Sequence, residues 1–216
     1  MNAAARLLFA NVSCFALLAM AACKKDGGVI EPQVDDGYLP ATSPANLLEN
    51  LKKAYQERTL DKYAALFDSD TFAFEFSQLD RESDPSLPMH LSFTEDQQST
   101  KTMMEDAALT RIVLRFATEE KVAAAPADNL PGGPDGVWKV TANAVHLEVH
   151  TQNDNGEPLV YLIDGDSADI FLREYPEAPI NGAPSWKIVY WRDRPIGDGA
   201  RAPVRATWGG IKALYS

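Results

Sequence analysis

Cysteine is almost missing from this chain, with 2 in 216 residues, at Cys14 and Cys23. That excludes a disulfide scaffold and a zinc ribbon, which both need more thiols. Basic residues are also short, 20 Lys and Arg against 31 Asp and Glu. The resulting formal net charge of -11 is the wrong sign for a nucleic-acid footprint. No phosphate loop, dinucleotide fingerprint or serine nucleophile elbow occurs, so none of those chemistries has its usual carrier and no cofactor is expected. The longest apolar run, Leu7 to Ala22, falls short of the ~20 residues of a membrane-spanning helix. What is present is a 45% hydrophobic composition, too apolar for a disordered chain. The length suits one domain of moderate size or two small ones, with a real core.

The first segment reads as an address. Residues 1–22 carry one charge, Arg6, then the apolar run, then small residues, which is the pattern of a secretory signal. Its end, Leu18-Ala19-Met20-Ala21-Ala22-Cys23, resembles the bacterial lipobox, in which the signal is cut before a cysteine that then carries lipid. Cys14 fits that pattern worse and lies in mid-run. The resemblance implies lipid on Cys23 and a membrane as partner. Lys24, in place of an aspartate, implies the outer membrane with the chain facing the periplasm. Residues 23–43 follow as lipidated cysteine and flexible tether, because they show no apolar period and carry Gly, Pro and Asp.

From residue 44 the pattern is globular. Ser43-Pro44 suits a helix start, a hydroxyl cap followed by proline in the first turn. Leu47, Leu48, Leu51, Ala54 and Tyr55 then recur at helical spacing. A second short helix is expected from Thr59 or Asp61, with Leu60, Tyr63, Ala64 and Phe67 as its stripe. Phe72, Phe74 and Phe76 alternate, which predicts a strand with one aromatic face. Residues 79–92 read as loop, and Thr94-Glu95-Asp96-Gln97 as a capping box opening a third helix to about Leu109. A β-meander should follow: a strand through Ile112, Leu114 and Phe116, one over 137–151, one over 159–173 broken near Asp164-Gly165-Asp166, and one over 185–193. Along 137–151 the apolar positions switch from even (Trp138, Val140, Ala142) to odd (Val145, Leu147, Val149). Side chains alternate strictly along a strand, so the switch predicts a bulge or bend near Asn143. Asn153 to Gly156 is a hairpin turn. The tail 195–216 offers Trp208, Ile211, Leu214 and Tyr215 to pack back on the domain as a terminal helix turn.

Three segments together resemble the nuclear transport factor 2-like superfamily: Leu47 to Phe76, the bent strand 137–151, and Ser185-Trp186-Lys187-Ile188-Val189-Tyr190-Trp191-Arg192-Asp193. The resemblance covers residues 44–194. It implies an α+β fold of N-terminal helices packed on a strongly bent, antiparallel, cone-like sheet, with an apolar cavity between the layers. It also implies a possible homodimer through the sheet. Members serve as enzymes or as plain binders, so the site must decide.

Ketosteroid isomerases of that superfamily hold an acidic base on the first strand and an oxyanion tyrosine on the first helix. The same register here brings Glu75 to the base position and Leu51, which has no donor, to the tyrosine's; Tyr55 lies one turn away. The alternation of the phenylalanines also turns Glu75 away from their face. The catalytic set is therefore incomplete. The expected pocket lining is Leu51, Tyr55, Phe74, Glu75, Trp138 and Trp191. His146, Glu148 and His150 share the strand face opposite Val145, Leu147 and Val149, so they read as a surface row and no metal site is expected. The reading is a membrane-anchored periplasmic lipoprotein whose domain binds a small apolar ligand or a protein partner without catalysis. The alternatives are an isomerase or dehydratase using Glu75 as base, and a structural dimerisation module of the cell envelope.

Overall fold

Why the chain folds as it does is visible first in its caps. In the computed structural model, which describes residues 36–194 and 207–215, helix α1 spans Pro44–Glu57. The Ser43 hydroxyl accepts from the Asn46 N–H at 3.2 Å, and Pro44 fills the first turn. Arg58 ends the helix in the left-handed region at φ 56°. The predicted stripe is the buried face. A single turn, α2 (Leu60–Ala64), leads to β1 (Ala73–Glu75), and Phe72, Phe74 and Phe76 are all buried. All described residues except Asp36 belong to one compact unit, Gly37–Ser216. The signal segment and Cys23 lie outside the described residues.

The segment 79–92 is more ordered than a loop. Ser77 and Asp80 form a reciprocal capping box that starts α3 (Gln78–Ser83), and His90–Ser92 makes β2. The next capping box is likewise displaced. Ser92, not Thr94, caps α4 (Phe93–Glu105), with Glu95 reaching back to it. In both places the motif is a serine three residues before an acid, Ser77 with Asp80 and Ser92 with Glu95, and the Thr94-to-Gln97 spacing lies inside the helix.

The sheet comprises β1, β2, β3 (Arg111–Thr118), β4 (Val122–Ala123), β5 (Val137–Gln152), β6 (Pro158–Ile180) and β7 (Ala183–Arg194). Its order is β2-β1-β7-β6-β5-β3, with β4 pairing β5 beyond β3. The sheet is mixed rather than purely antiparallel, because β1 runs parallel to β7, Phe74 beside Trp191. Three helix segments and the long meander separate those strands in the chain, which is the crossover that parallel pairing needs.

Bulges let the long strands curve without exposing the core. In β5 the register jumps between Ala142 and Val145, and Ala144 sits at φ 49°. Val140 and Ala142 before the bulge, and Val145, Leu147 and Val149 after it, all reach the same buried cluster. Opposite, β6 continues through Asp164-Gly165-Asp166 without a break, with Gly165 taking φ 84°. A second bulge lies at Val189: Leu172 pairs Ile188 while Phe171 pairs Tyr190. Trp186 and Ile188 thus share the inner face with Trp191, whereas Val189 and Tyr190 join Val137 and Phe171 in a small cluster on the outer face.

Beyond β7, the chain returns as α5 (Trp208–Leu214), with Thr207 as N-cap accepting from Gly210 N–H at 2.8 Å. Trp208 and Ile211 are buried in the main core. Leu214 is 56% exposed and packs on nothing deep.

Candidate functional site

The interior between α1, α4 and the curved sheet is where the resemblance leads one to look. Of the expected lining residues, Leu51, Tyr55, Phe74 and Trp191 converge there, all buried to within 1%. What they meet is the chain itself. The Trp208 indole lies 4.5 Å from the Trp191 ring and stands edge-on to Tyr55 at 5.4 Å. Tyr55 in turn meets Tyr63 edge-on at 5.2 Å, and Phe74 meets Trp191 at 6.3 Å. These separations are those of packed aromatic pairs.

One turn beyond Trp208, Lys212 carries an ammonium into the same interior at 4% exposure. It donates to the Asp96 carboxylate, to Thr100 Oγ1 at 3.2 Å and to the Tyr63 hydroxyl at 3.3 Å. Tyr63 donates to the other Asp96 oxygen at 2.8 Å, and the Ser99 hydroxyl donates to the Lys212 carbonyl at 2.7 Å. The ammonium also lies 5.2 Å from the centre of the Phe74 ring. Burial pushes the Lys212 pKa down, but Asp96 and then Tyr55 together more than offset it, and the group is held charged, above the ordinary lysine value. Burial and then Asp96 both raise the Tyr63 hydroxyl, so it remains a neutral donor.

A second buried polar group sits beside this one. Asp193, on the inner face of β7, accepts from Gly209 N–H at 3.0 Å. Burial lifts its pKa to about 8; the Gly209 N–H works against that, while Asp80 and Asp166 add to it. Asp80 itself accepts from Ser77 and Thr207. Two carboxylates, Asp80 and Asp193, therefore hold the start of α5, and the charge of Asp166 acts on Asp193.

The remaining sequence candidates lie elsewhere. Glu75 does not line the interior. It lies on the outer face, where Tyr190 donates to it at 2.6 Å and Arg192 pairs with it at 2.5 Å. Half-burial alone would raise its carboxyl, but Tyr190 and Arg192 overcome that and hold the pKa below the ordinary value. Glu75 is thus held as an ion-paired carboxylate on the face away from the aromatic interior. Trp138 lies at the rim of the main cluster, half-buried, and Lys121 bridges its ring and that of Trp186 at 4.5 and 4.3 Å. His146, Glu148 and His150 form a row on the outer face. Glu148 bonds both rings, at 2.8 and 2.6 Å, and Asp164 holds the other nitrogen of His146 at 3.0 Å. The Asp164 and Glu148 bonds raise the His146 pKa. Among the described residues no group of three or more His, Cys, Asp or Glu is placed to hold a metal ion.

The residues that dominate the interior, Tyr63, Asp96, Thr100, Trp208, Lys212 and Asp193, were not in the expected lining. A signal existed for two of them. Asp96 and Thr100 sit at i and i+4 with Met103 and Met104 on the buried stripe of α4, and an acid on an apolar stripe asks for a partner. Nothing local points from there to Lys212, 116 positions away.

No family model and no curated protein matches the chain. Solved structures do. One is a putative calcium/calmodulin-dependent protein kinase type II association domain from Thiobacillus denitrificans, 16% identical, with TM-score 0.44 over 71% of this chain and 95% of that one. Another is a putative dehydratase from the NTF2-like family from Streptomyces avermitilis, 13% identical, with TM-score 0.45 over 71% and 94%. A third is the S. rosetta CaMKII hub, 15% identical, with TM-score 0.39 over 73% and 98%. These likenesses concern the fold alone. The architecture is the α+β one that the sequence resembles, helices on a strongly curved sheet.

Proposed function

We propose that this chain is a lipid-anchored outer-membrane lipoprotein, facing the periplasm, whose cone-like domain binds a protein partner and does not catalyse a reaction. The observation that carries the reading is the state of the interior. The positions where a small apolar ligand or a substrate would sit are taken by Trp208, Ile211 and Lys212 of the chain's own helix. An isomerase-type mechanism needs a base facing a cavity and a donor opposite it. Glu75 faces the other way and is ion-paired, which speaks against that alternative.

Native mass spectrometry of residues 24–216, prepared without the lipid, tests the choice of partner. The expected spectrum is the bare polypeptide mass, and its monomer or dimer series reads the oligomeric state at once. A stoichiometric small-molecule adduct surviving purification would favour the small apolar ligand instead.

A further inference from the structure

We propose that the interior of the cone is a recognition site for a helix bearing tryptophan and, one turn later, lysine, and that a second copy of this chain can supply that helix in place of α5. This rests on the protein-binding reading above and names the partner. The site is written out by its present occupant. An aromatic clamp of Tyr55 and Trp191 holds Trp208, and an anionic socket of Asp96, Thr100 and Tyr63 holds Lys212.

Three observations set this apart from ordinary core filling. First, a buried ion pair is a costly way to fill space. Apolar residues of similar volume are often as stabilising or better, whereas an ion pair specifies which side chain enters. Second, the buried Trp191 indole N–H has no acceptor, so the docked α5 does not satisfy every polar group of the clamp that holds it. Third, α5 has seven residues, two of them Gly209 and Gly210. A helix of that length and composition has no stability of its own in water. It is helical because the site orders it, as a docked peptide is ordered on binding. In the chain it follows β7 after the 12 residues between Arg194 and Thr207, and it meets β7 through Trp208 against Trp191 and the Gly209 N–H on Asp193. The same helix from another molecule meets the same clamp and socket, and exchange makes swapped dimers.

The test uses the chain from residue 24 onward, without lipid. Hydrogen exchange on the wild-type protein comes first. The backbone amides of Gly209, Gly210 and Ile211 are expected to exchange at least tenfold faster than the paired amides of β5 and β6, by local opening of α5. Exchange of α5 only at the rate of global unfolding would overturn the proposal, because a helix that never leaves cannot be replaced. Next, a labelled peptide of residues 207–216 is titrated into the Trp208→Ala chain, whose own helix has lost its aromatic anchor. Saturable binding is expected, weakened at least tenfold when the peptide carries Lys212→Met. Equal binding of the two peptides, or none to a variant that still melts cooperatively, would overturn it. If that variant does not fold, the wild-type chain is titrated with the two peptides at millimolar concentration, and the same comparison decides. None of these failures touches lipid attachment, which substitution of Cys23 tests, or the choice between a protein partner and a small ligand, which the mass spectrum tests.

Discussion

A single carboxyl, Asp193, shows how much a position in this fold changes a residue. In the unfolded chain it ionises near 4; in the native interior its pKa is about 8. Between those values the folded state holds a proton that the unfolded state has released, so stability falls as pH rises through that window. The expected outcome is a urea midpoint that drops steadily from about pH 5 to pH 8 in the wild type and much less in Asp193→Asn, whose amide oxygen can still accept from Gly209. Glu75 behaves in the opposite way: Tyr190 and Arg192 favour its charged form. Glu75→Gln should cost about 1–2 kcal/mol in chemical denaturation, by leaving the half-buried Arg192 with a weaker acceptor. Its orientation was legible from alternation alone, since Phe74 and Phe76 flank it and face inward. Asp193 was not legible. Its neighbours Asp80 and Asp166 lie 113 and 27 positions away in the chain, and an acid at the end of a strand carries no local mark of burial.

At the scale of the element, the bulges and the terminal helix carry the argument. The β5 bulge was readable near Asn143 because its cause, a change in the parity of apolar residues, is written in the strand itself. The bulge at Val189 was not read, because Ile188-Val189-Tyr190-Trp191 is apolar throughout and shows no parity to change. Ala144, at φ 49°, is tolerated there as a small unbranched residue. Ala144→Val should cost roughly 1–3 kcal/mol in a thermal or urea melt, since a β-branched side chain is strained in the left-handed region. In α5 the decisive residue is Gly209. A Cβ at that position would lie 2.6 Å from both Asp80 Oδ2 and Phe76 Cδ1. Gly209→Ala should therefore push the helix outward, speed hydrogen exchange at Ile211 and lower overall stability by about 1–3 kcal/mol. The helix caps follow the same division: Ser43-Pro44 was plain in the sequence, while two overlapping capping-box spacings, Ser92 to Glu95 and Thr94 to Gln97, compete there and only the first is formed.

For the whole molecule, the fold class was legible because element order and periodicity are local properties that accumulate along the chain. The parallel pairing of β1 with β7 was not, because strands brought together from residues 73–75 and 190–192 leave no trace in either segment. The contents of the interior were hidden for the same reason. In the lipoprotein reading proposed above, membrane attachment would be a property of the entire chain and would depend on one atom, the Cys23 sulfur. The expected outcome of Cys23→Ala is a protein that no longer takes up radiolabelled palmitate and moves from the membrane to the soluble fraction. A variant that stays membrane-bound would sink the lipid-anchor proposal.

The burial of Trp208 and Ile211 has a further meaning when the chain is considered as something made in order. Every strand precedes α5, yet the aromatic interior they enclose is sealed only by residues beyond β7. A nascent chain emerging from its N-terminus can pair β5, β6 and β7 while Tyr55 and Trp191 still face water. Until the final turn arrives, Asp96 lacks the cation that pairs it, and the aromatic interior stays open to water. Synthesis thus imposes a vulnerable interval whose length is set by how soon the chain beyond Arg194 is delivered.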